Sequence, residues 1–269
     1  MIIDFHTHIY ADKNAERART VLTANLEKYG THIEPATDMT ESGLLARMDA
    51  AGIDISVVQP VITKEEQFQK VNDWAASRNS RRIVFFGGLY PHTEHWKEQI
   101  DYIVSLGLKG LKFHPEYQYF TPDESQYLPI YDYALSKGLM LLFHAGEDRG
   151  QAPPYHSFPK TFRNIWEALK GGVIVAAHYG GHDQWDEVEE TLAGTGVYLD
   201  TSMGSQYYTR EQFLRIAEKH GTERMLFATD SPWSEPETEL AFIRSLPFTE
   251  AQKQAVLGGN AAKLLGITE

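Results

Sequence analysis

Eight times along the 269 residues, a short run of β-branched and aromatic residues is followed by a longer segment with helical spacing. The runs are 2–8, 55–61, 83–90, 108–114, 139–145, 173–178, 197–202 and 225–230. The helical segments are 40–51, 64–79, 93–106, 126–137, 160–170, 183–193, 209–220 and 235–245. Gly52, Gly107, Gly138, Gly171, Gly194 and Gly221 follow helix ends, where a left-handed backbone is needed. Thr40 and Thr209 stand where N-caps belong, and Thr249 starts a C-terminal helix. Strands joined in series by helices run parallel, in an open doubly wound sheet or a closed barrel. Eight units at this length predict an α/β fold, a (β/α)8 or TIM barrel, as a single domain over residues 1–269 with a C-terminal helical extension. An open sheet usually shows a glycine-rich turn after its first strand, whereas here the strand ends in His6-Thr7-His8. Two long loops, 9–39 and 146–159, follow strand C-termini, the end where such a barrel builds its site.

Composition removes several functions. The chain has no cysteine, which excludes a disulfide scaffold, a thiolate metal site and a cysteine nucleophile. With 37 acidic and 25 basic side chains its formal charge is −12, and no basic run offers a nucleic acid its usual partner. Apolar runs are far shorter than a membrane span, and the N-terminus lacks a signal-peptide pattern. The expectation is a cytoplasmic protein acting on a small molecule, without nucleic-acid or membrane partners.

The chemistry concentrates in histidine. Side chains two apart share one face of a strand, so His6 and His8 point together and can chelate one ion. Five of the eleven histidines (6, 8, 114, 144 and 178) fall at predicted strand C-termini, and Asp230 ends the eighth strand. Imidazole and carboxylate suit zinc, manganese or iron. Three or so protein ligands leave a position for water, whose pKa a divalent ion lowers towards ~7.

Six segments in order carry a family resemblance: Asp4-Phe5-His6-Thr7-His8, Gly110-Leu111-Lys112-Phe113-His114-Pro115, Leu142-Phe143-His144-Ala145-Gly146, Ala177-His178-Tyr179-Gly180-Gly181, Leu199-Asp200-Thr201-Ser202 and Ala228-Thr229-Asp230-Ser231-Pro232. Together with 259–266 near the C-terminus, they resemble the amidohydrolase superfamily, in the amidohydrolase-2 branch that includes aminocarboxymuconate-semialdehyde decarboxylase. The resemblance implies His6, His8, His144 and Asp230 as ligands of one divalent ion, with zinc the first expectation and manganese the second. It implies His178 as a catalytic residue, or a second-metal ligand in two-ion members, and Asp230 as proton shuttle. Two-ion relatives carry a bridging carboxylated lysine or glutamate on strand 4. Lys112 and His114 share a face there, so a carboxylated Lys112 would bring a second metal. An unmodified Lys112 would instead neutralise a substrate carboxylate or Asp230.

Other residues are weighed on their own chemistry. Asp4 is read as supporting a ligand or capping its strand, and alternation with Tyr198 and Ser202 turns Asp200 towards the barrel. Arg149, like Arg163, could clamp a carboxylate with two hydrogen bonds, with Lys112 and His114 as further substrate contacts. His32, His92, His95, His182 and His220 are read as ordinary polar residues. The leading expectation is a metal-dependent hydrolase of a small, carboxylate-bearing amide, ester or lactone. The alternative is a metal-dependent non-oxidative decarboxylase of an unsaturated or aromatic acid, which uses the same residues. A homodimer is the default assembly.

Overall fold

A computed structural model describes residues 1–169 and 171–267. Its strand segments are β1 (Ile3–Thr7), β2 (Ile55–Val58), β3 (Ile83–Phe85), β4 (Gly87–Gly88), β5 (Gly110–Phe113), β6 (Met140–Phe143), β7 (Ile174–Ala176), β8 (Tyr198–Asp200) and β9 (Met225–Leu226). All ladders are parallel, in the orders β1-β2-β3 and β4 through β9. Segments β3 and β4 are the two halves of one stave, interrupted at Phe86. The ring closes between first and last strands. Phe5 N–H donates to the Phe227 carbonyl at 2.9 Å, Asp230 N–H to the His6 carbonyl at 2.9 Å, and His8 N–H to the Ser231 carbonyl at 2.7 Å. The result is the predicted eight-stave TIM barrel.

Alternation along the staves divides the core. Leu111, Phe113, Leu141, Phe143, Ile174, Ala176 and Leu199 pack outward under the helices. Phe86, Met140, Leu142, Val175, Leu226 and Ala228 fill the lumen. Ala261, Ala262 and Leu265 of the last helix join that lumen cluster from the N-terminal mouth. Lys112 is in register with Leu142 and Gly88, so it enters the lumen above this apolar plug. Strand β1 departs from strict alternation. A register shift lies between Asp4 and Thr7, Phe5 packs edge-on against Phe86 in the lumen, and His6 is fully buried at the site. Such a shift re-aims a side chain without moving the strand.

The helices are α1 (Asp12–Lys28), α2 (Glu41–Ala51), α3 (Phe68–Arg78), α4 (Trp96–Ser105), α5 (Pro115–Gln118), α6 (Leu128–Ser136), α7 (Pro159–Ala168), α8 (Trp185–Glu187), α9 (Arg210–His220), α10 (Pro236–Ser245), α11 (Glu250–Gln254) and α12 (Asn260–Leu265). Thr40 caps α2 by accepting from Gly43 N–H at 3.0 Å, and Gly52 ends that helix in the left-handed conformation at φ 73°. Thr209 and Thr249 cap α9 and α11 in the same way. Three expectations are corrected. The predicted loop 9–39 contains α1, whose exposed polar sequence hid it: only Ala15 and Leu26 are buried. The segment 183–193 is a short α8 and a wide turn rather than one helix. His178 falls in a turn just past β7 rather than in the strand. The predicted end of the fifth helix at Lys170 lies outside the described residues. Among the described residues no helix is long and apolar enough to cross a membrane.

Candidate active site

The C-terminal ends of the staves surround a cavity of about 760 Å³. His6, His8, Lys112, His114, His144, Asp148, His178, His182 and Asp230 line its floor and sides, while α1 contributes Arg17, Ala18, Val21 and Leu22 to the wall. His178 and Asp230 both have positive φ, at 55° and 60°. Side chains rarely adopt that backbone unless surrounding structure imposes it, as it often does at functional sites.

One ligand-type group unites β1 with the end of the last stave. Potential ligand atoms of His6, His8 and Asp230 all lie within 4.8 Å of one another. His6 Nε2 stands 3.2 Å from His8 Nε2 and 3.4 Å from Asp230 Oδ1, and His8 Nε2 is 3.2 Å from the same oxygen. The outer ring nitrogens are already engaged. His8 Nδ1 faces the Gln59 carbonyl at 2.8 Å, which can only accept, so the proton is on Nδ1. His6 Nδ1 faces Asp200 Oδ2 at 3.0 Å, which places its proton there too. Both Nε2 lone pairs therefore converge beside a carboxylate oxygen, with the outer contacts that orient metal-binding imidazoles.

A second group lies across the floor. His144 Nδ1 and His178 Nε2 are 3.0 Å apart. His178 Nδ1 faces the Ser202 carbonyl and hydroxyl at 3.3 and 3.0 Å, and that hydroxyl donates to Asp200, so His178 Nε2 carries a lone pair. Asp148 Oδ2 lies 4.0 Å from His144 Nε2, beyond hydrogen-bond reach, so that nitrogen has no partner among the described residues. His144 Nδ1–H then donates to the His178 Nε2 lone pair, which leaves His144 Nε2 as a buried bare acceptor. The donor set fits a divalent ion at His6, His8 and Asp230, whereas His144, expected as a ligand of that same ion, groups instead with His114 and Asp148. Its ring stacks on His114 at 4.2 Å between centroids, and His114 Nε2 is 3.3 Å from Asp148 Oδ2.

Lys112 is fully buried, with Nζ 2.9 Å from His6 Nε2. Burial pushes its ammonium down to about 8, against the opposing pull of Asp230, Asp200 and Asp148. Burial likewise drives His6 and His144 well below the usual imidazole range and takes His178 down to about 4. These rings are neutral at pH 7, the form that binds metal. Burial works against a charge on Asp230, whereas positive charge on the adjoining His6 and His8 imidazoles pulls its carboxyl far below the ordinary range.

The other expected residues divide. Asp4 accepts from Thr229 N–H at 3.0 Å and Thr229 Oγ at 2.6 Å, tying the first stave to the last rather than contacting the ligand group. Arg149 is engaged by Asp183 at 2.7 Å and lies over the Tyr207 ring at 4.0 Å, so it is not a free clamp. Arg163 is paired with Glu167 and the Thr191 carbonyl on the surface. Sequence reasoning missed four contributors: the Gln59 carbonyl, Asp148, the α1 wall and His182. His182 lines the cavity and is 2% exposed; its only sequence signal was its position four residues after His178.

A family model described as amidohydrolase, of the amidohydrolase-2 branch, matches residues 3–267. A search of curated proteins returns no match. Solved structures match over the whole chain. A 5-carboxyvanillate decarboxylase from Sphingomonas paucimobilis shares 18% identity at TM-score 0.72, covering 99% of each chain. A dihydroxybenzoic acid decarboxylase from Polaromonas, with bound manganese and the inhibitor 2-nitroresorcinol, shares 15% at 0.70, covering 100% of this chain and 97% of the other. A Pseudomonas putida protein described as a 2-pyrone-4,6-dicarboxylic acid hydrolase shares 16% at 0.68, covering 100% and 98%. At these identities the likeness is one of fold. The family match across nearly the whole chain makes this protein a member of the amidohydrolase family, an enzyme of the divalent-metal-dependent amidohydrolase-2 branch.

Proposed function

We propose that the chain is a metal-dependent, non-oxidative decarboxylase of an aromatic or unsaturated carboxylic acid. The observation that carries this reading is the buried Lys112 ammonium 2.9 Å from His6 Nε2, a cation set into the floor beside the ligand group where a substrate carboxylate can lie. The decarboxylases among similar structures support it, and so does the cavity wall. With Arg149 paired to Asp183, Arg17, Lys64 and Lys112 balance Glu147, Asp148 and Asp230 there, on a chain of net charge −12.

His6, His8 and Asp230 would hold zinc or manganese. When bound, the ion supplies Lewis-acid polarisation of a substrate oxygen. Lys112 neutralises the carboxylate that is to leave. Asp230, ionised at rest, takes the proton of a neighbouring substrate hydroxyl and returns it to the carbon losing its carboxylate. The carbon–carbon bond pair stays on that carbon and becomes the new C–H bond, and carbon dioxide departs. His178, neutral, sits within reach to orient the substrate oxygen. Homodimer formation and a cytoplasmic location remain part of the proposal.

A hydrolase is the second reading, favoured by the second ligand-type group, His114, His144 and Asp148, on the same cavity. The charge of Lys112 bears on His144 and His178. An amine brought down to about 8 is more often neutral, the form that adds carbon dioxide to give a bridging carbamate. Two ions would then be held, and a lactone or ester would be the substrate. A panel of hydroxybenzoates assayed for carbon dioxide release, against a panel of lactones and esters assayed for acid release, separates the readings. Carbon dioxide release from a hydroxybenzoate, with one metal ion per chain, is expected. Lactone turnover with two ions per chain would overturn the decarboxylase in favour of the hydrolase.

A further inference from the structure

His182 is pinned in place by its backbone. Its N–H donates to the Ala145 carbonyl at 2.9 Å, and its own carbonyl accepts from Glu147 N–H at 3.0 Å. Gly146 packs so closely that a Cβ there would stand 2.1 Å from His182 N. The imidazole is thereby held beside the end of the stave that carries His144. It lies 5.8 Å from the His178 ring, 5.4 Å from Trp185 and 5.0 Å from Tyr207, centroid to centroid. Among the described residues neither ring nitrogen has a formed hydrogen bond, although the side chain is buried against the cavity. Buried polar atoms are almost always satisfied, so an unmet one at a cavity wall points to a ligand.

Asp183 decides what His182 can offer. Its Oδ2 accepts from an Arg149 terminal nitrogen at 2.7 Å and stands 3.1 Å from His182 Nδ1, at an oblique angle. A carboxylate so near repels a lone pair and favours the proton on Nδ1. His182 Nε2 is then a bare acceptor, on a ring that stands beside His178 in the cavity wall. Arg149 and Tyr207 hold Asp183 in this position through the ion pair and the cation–ring contact.

We propose that His182 is a further substrate-contacting residue, accepting a hydrogen bond from a hydroxyl of the substrate, with Asp183 and Arg149 as its positioning residues. The substrate class narrows to hydroxylated acids. The assignment rests on the decarboxylase reading for its substrate, but hydroxyl recognition can be tested without turnover.

The probes are resorcinol and 1,3-difluorobenzene, similar in shape, of which only the first has donors. Their affinities are measured by calorimetry on the metal-loaded protein. Wild type is expected to favour resorcinol by about tenfold or more, the scale of one well-formed hydrogen bond. His182→Phe and His182→Ala, one keeping bulk and one removing it, should both cut the preference by about tenfold, leaving whatever part Asp230 and the ion contribute. His182→Gln, which returns an acceptor, should restore part of it. Asp183→Asn, which allows either ring tautomer, should reduce the preference while leaving difluorobenzene binding unchanged. Equal affinity of wild type for both probes, no resorcinol binding, or a loss in the His182 variants that is the same for both probes would overturn the proposal. A preserved resorcinol preference with no carbon dioxide release from any hydroxybenzoate would instead sink only the decarboxylase reading.

Discussion

Asp230 illustrates how much of this site is a matter of single residues. Its oxygen lies 3.4 and 3.2 Å from two imidazole nitrogens whose protons are fixed elsewhere, so the three atoms form an all-acceptor cluster that suits a cation. Asp230→Asn keeps the shape and loses the proton acceptor. Turnover should fall by about 10²–10⁴-fold, the usual contribution of a positioned acid–base group. The melting curve should stay close to wild type; near-normal activity would refute the role. Asp200 acts through His6. Asp200→Asn should weaken metal affinity by roughly 10–100-fold in a metal titration, because the His6 ring loses the contact that fixes its orientation and proton. Residues at this scale were legible where strand period and chemistry coincided, as at His6 and His8. They were hidden where a loop folds back. Asp148 and His182 sit beyond strand ends, and nothing in their local sequence announces burial. The Gln59 carbonyl offers no side-chain signal at all.

Elements were legible wherever the apolar period was strong and punctuated. Amphipathic α7 (Pro159–Ala168) buries Phe162 and Ile165 as its spacing implies, and α9 (Arg210–His220) begins at its threonine cap. Helix α1 was missed because its stability is not written as an apolar stripe, and the broken stave at Phe86 because a stave's continuity is a property of its neighbours. The end of α9 supports a prediction about pH. His220 is 3% exposed, and its Nδ1 accepts from Gly194 N–H at 3.2 Å, which requires a neutral ring. Burial, aided by Arg224, takes it down to about 4 from an ordinary 6.5. The unfolded chain therefore binds a proton in a window where the folded chain does not. The contribution of His220 is full above about pH 6.5 and is lost as pH falls towards 4, a change of roughly 3 kcal/mol. In urea unfolding across that window, His220→Gln should show a shallower loss than wild type. Parallel curves would remove the effect.

At the scale of the whole molecule, eight staves bring residues from 6 to 230 to one mouth, and the ring closes on the same segments that supply the ligands. Phe5, His6 and His8 bond to Phe227, Asp230 and Ser231, so barrel closure and assembly of the first ligand group are one event. The eightfold repeat made that architecture readable in advance. The division of the ligand-type residues into two groups, His6, His8 and Asp230 against His114, His144 and Asp148, was not, because it depends on how the segments beyond the staves fold back. Anomalous diffraction from crystals grown with manganese tests the central claim most directly. The account predicts a peak within bonding distance of His6 Nε2, His8 Nε2 and Asp230 Oδ1, lost in Asp230→Ala. A density map with no peak at that point, or with one held by residues away from the barrel mouth, would contradict it.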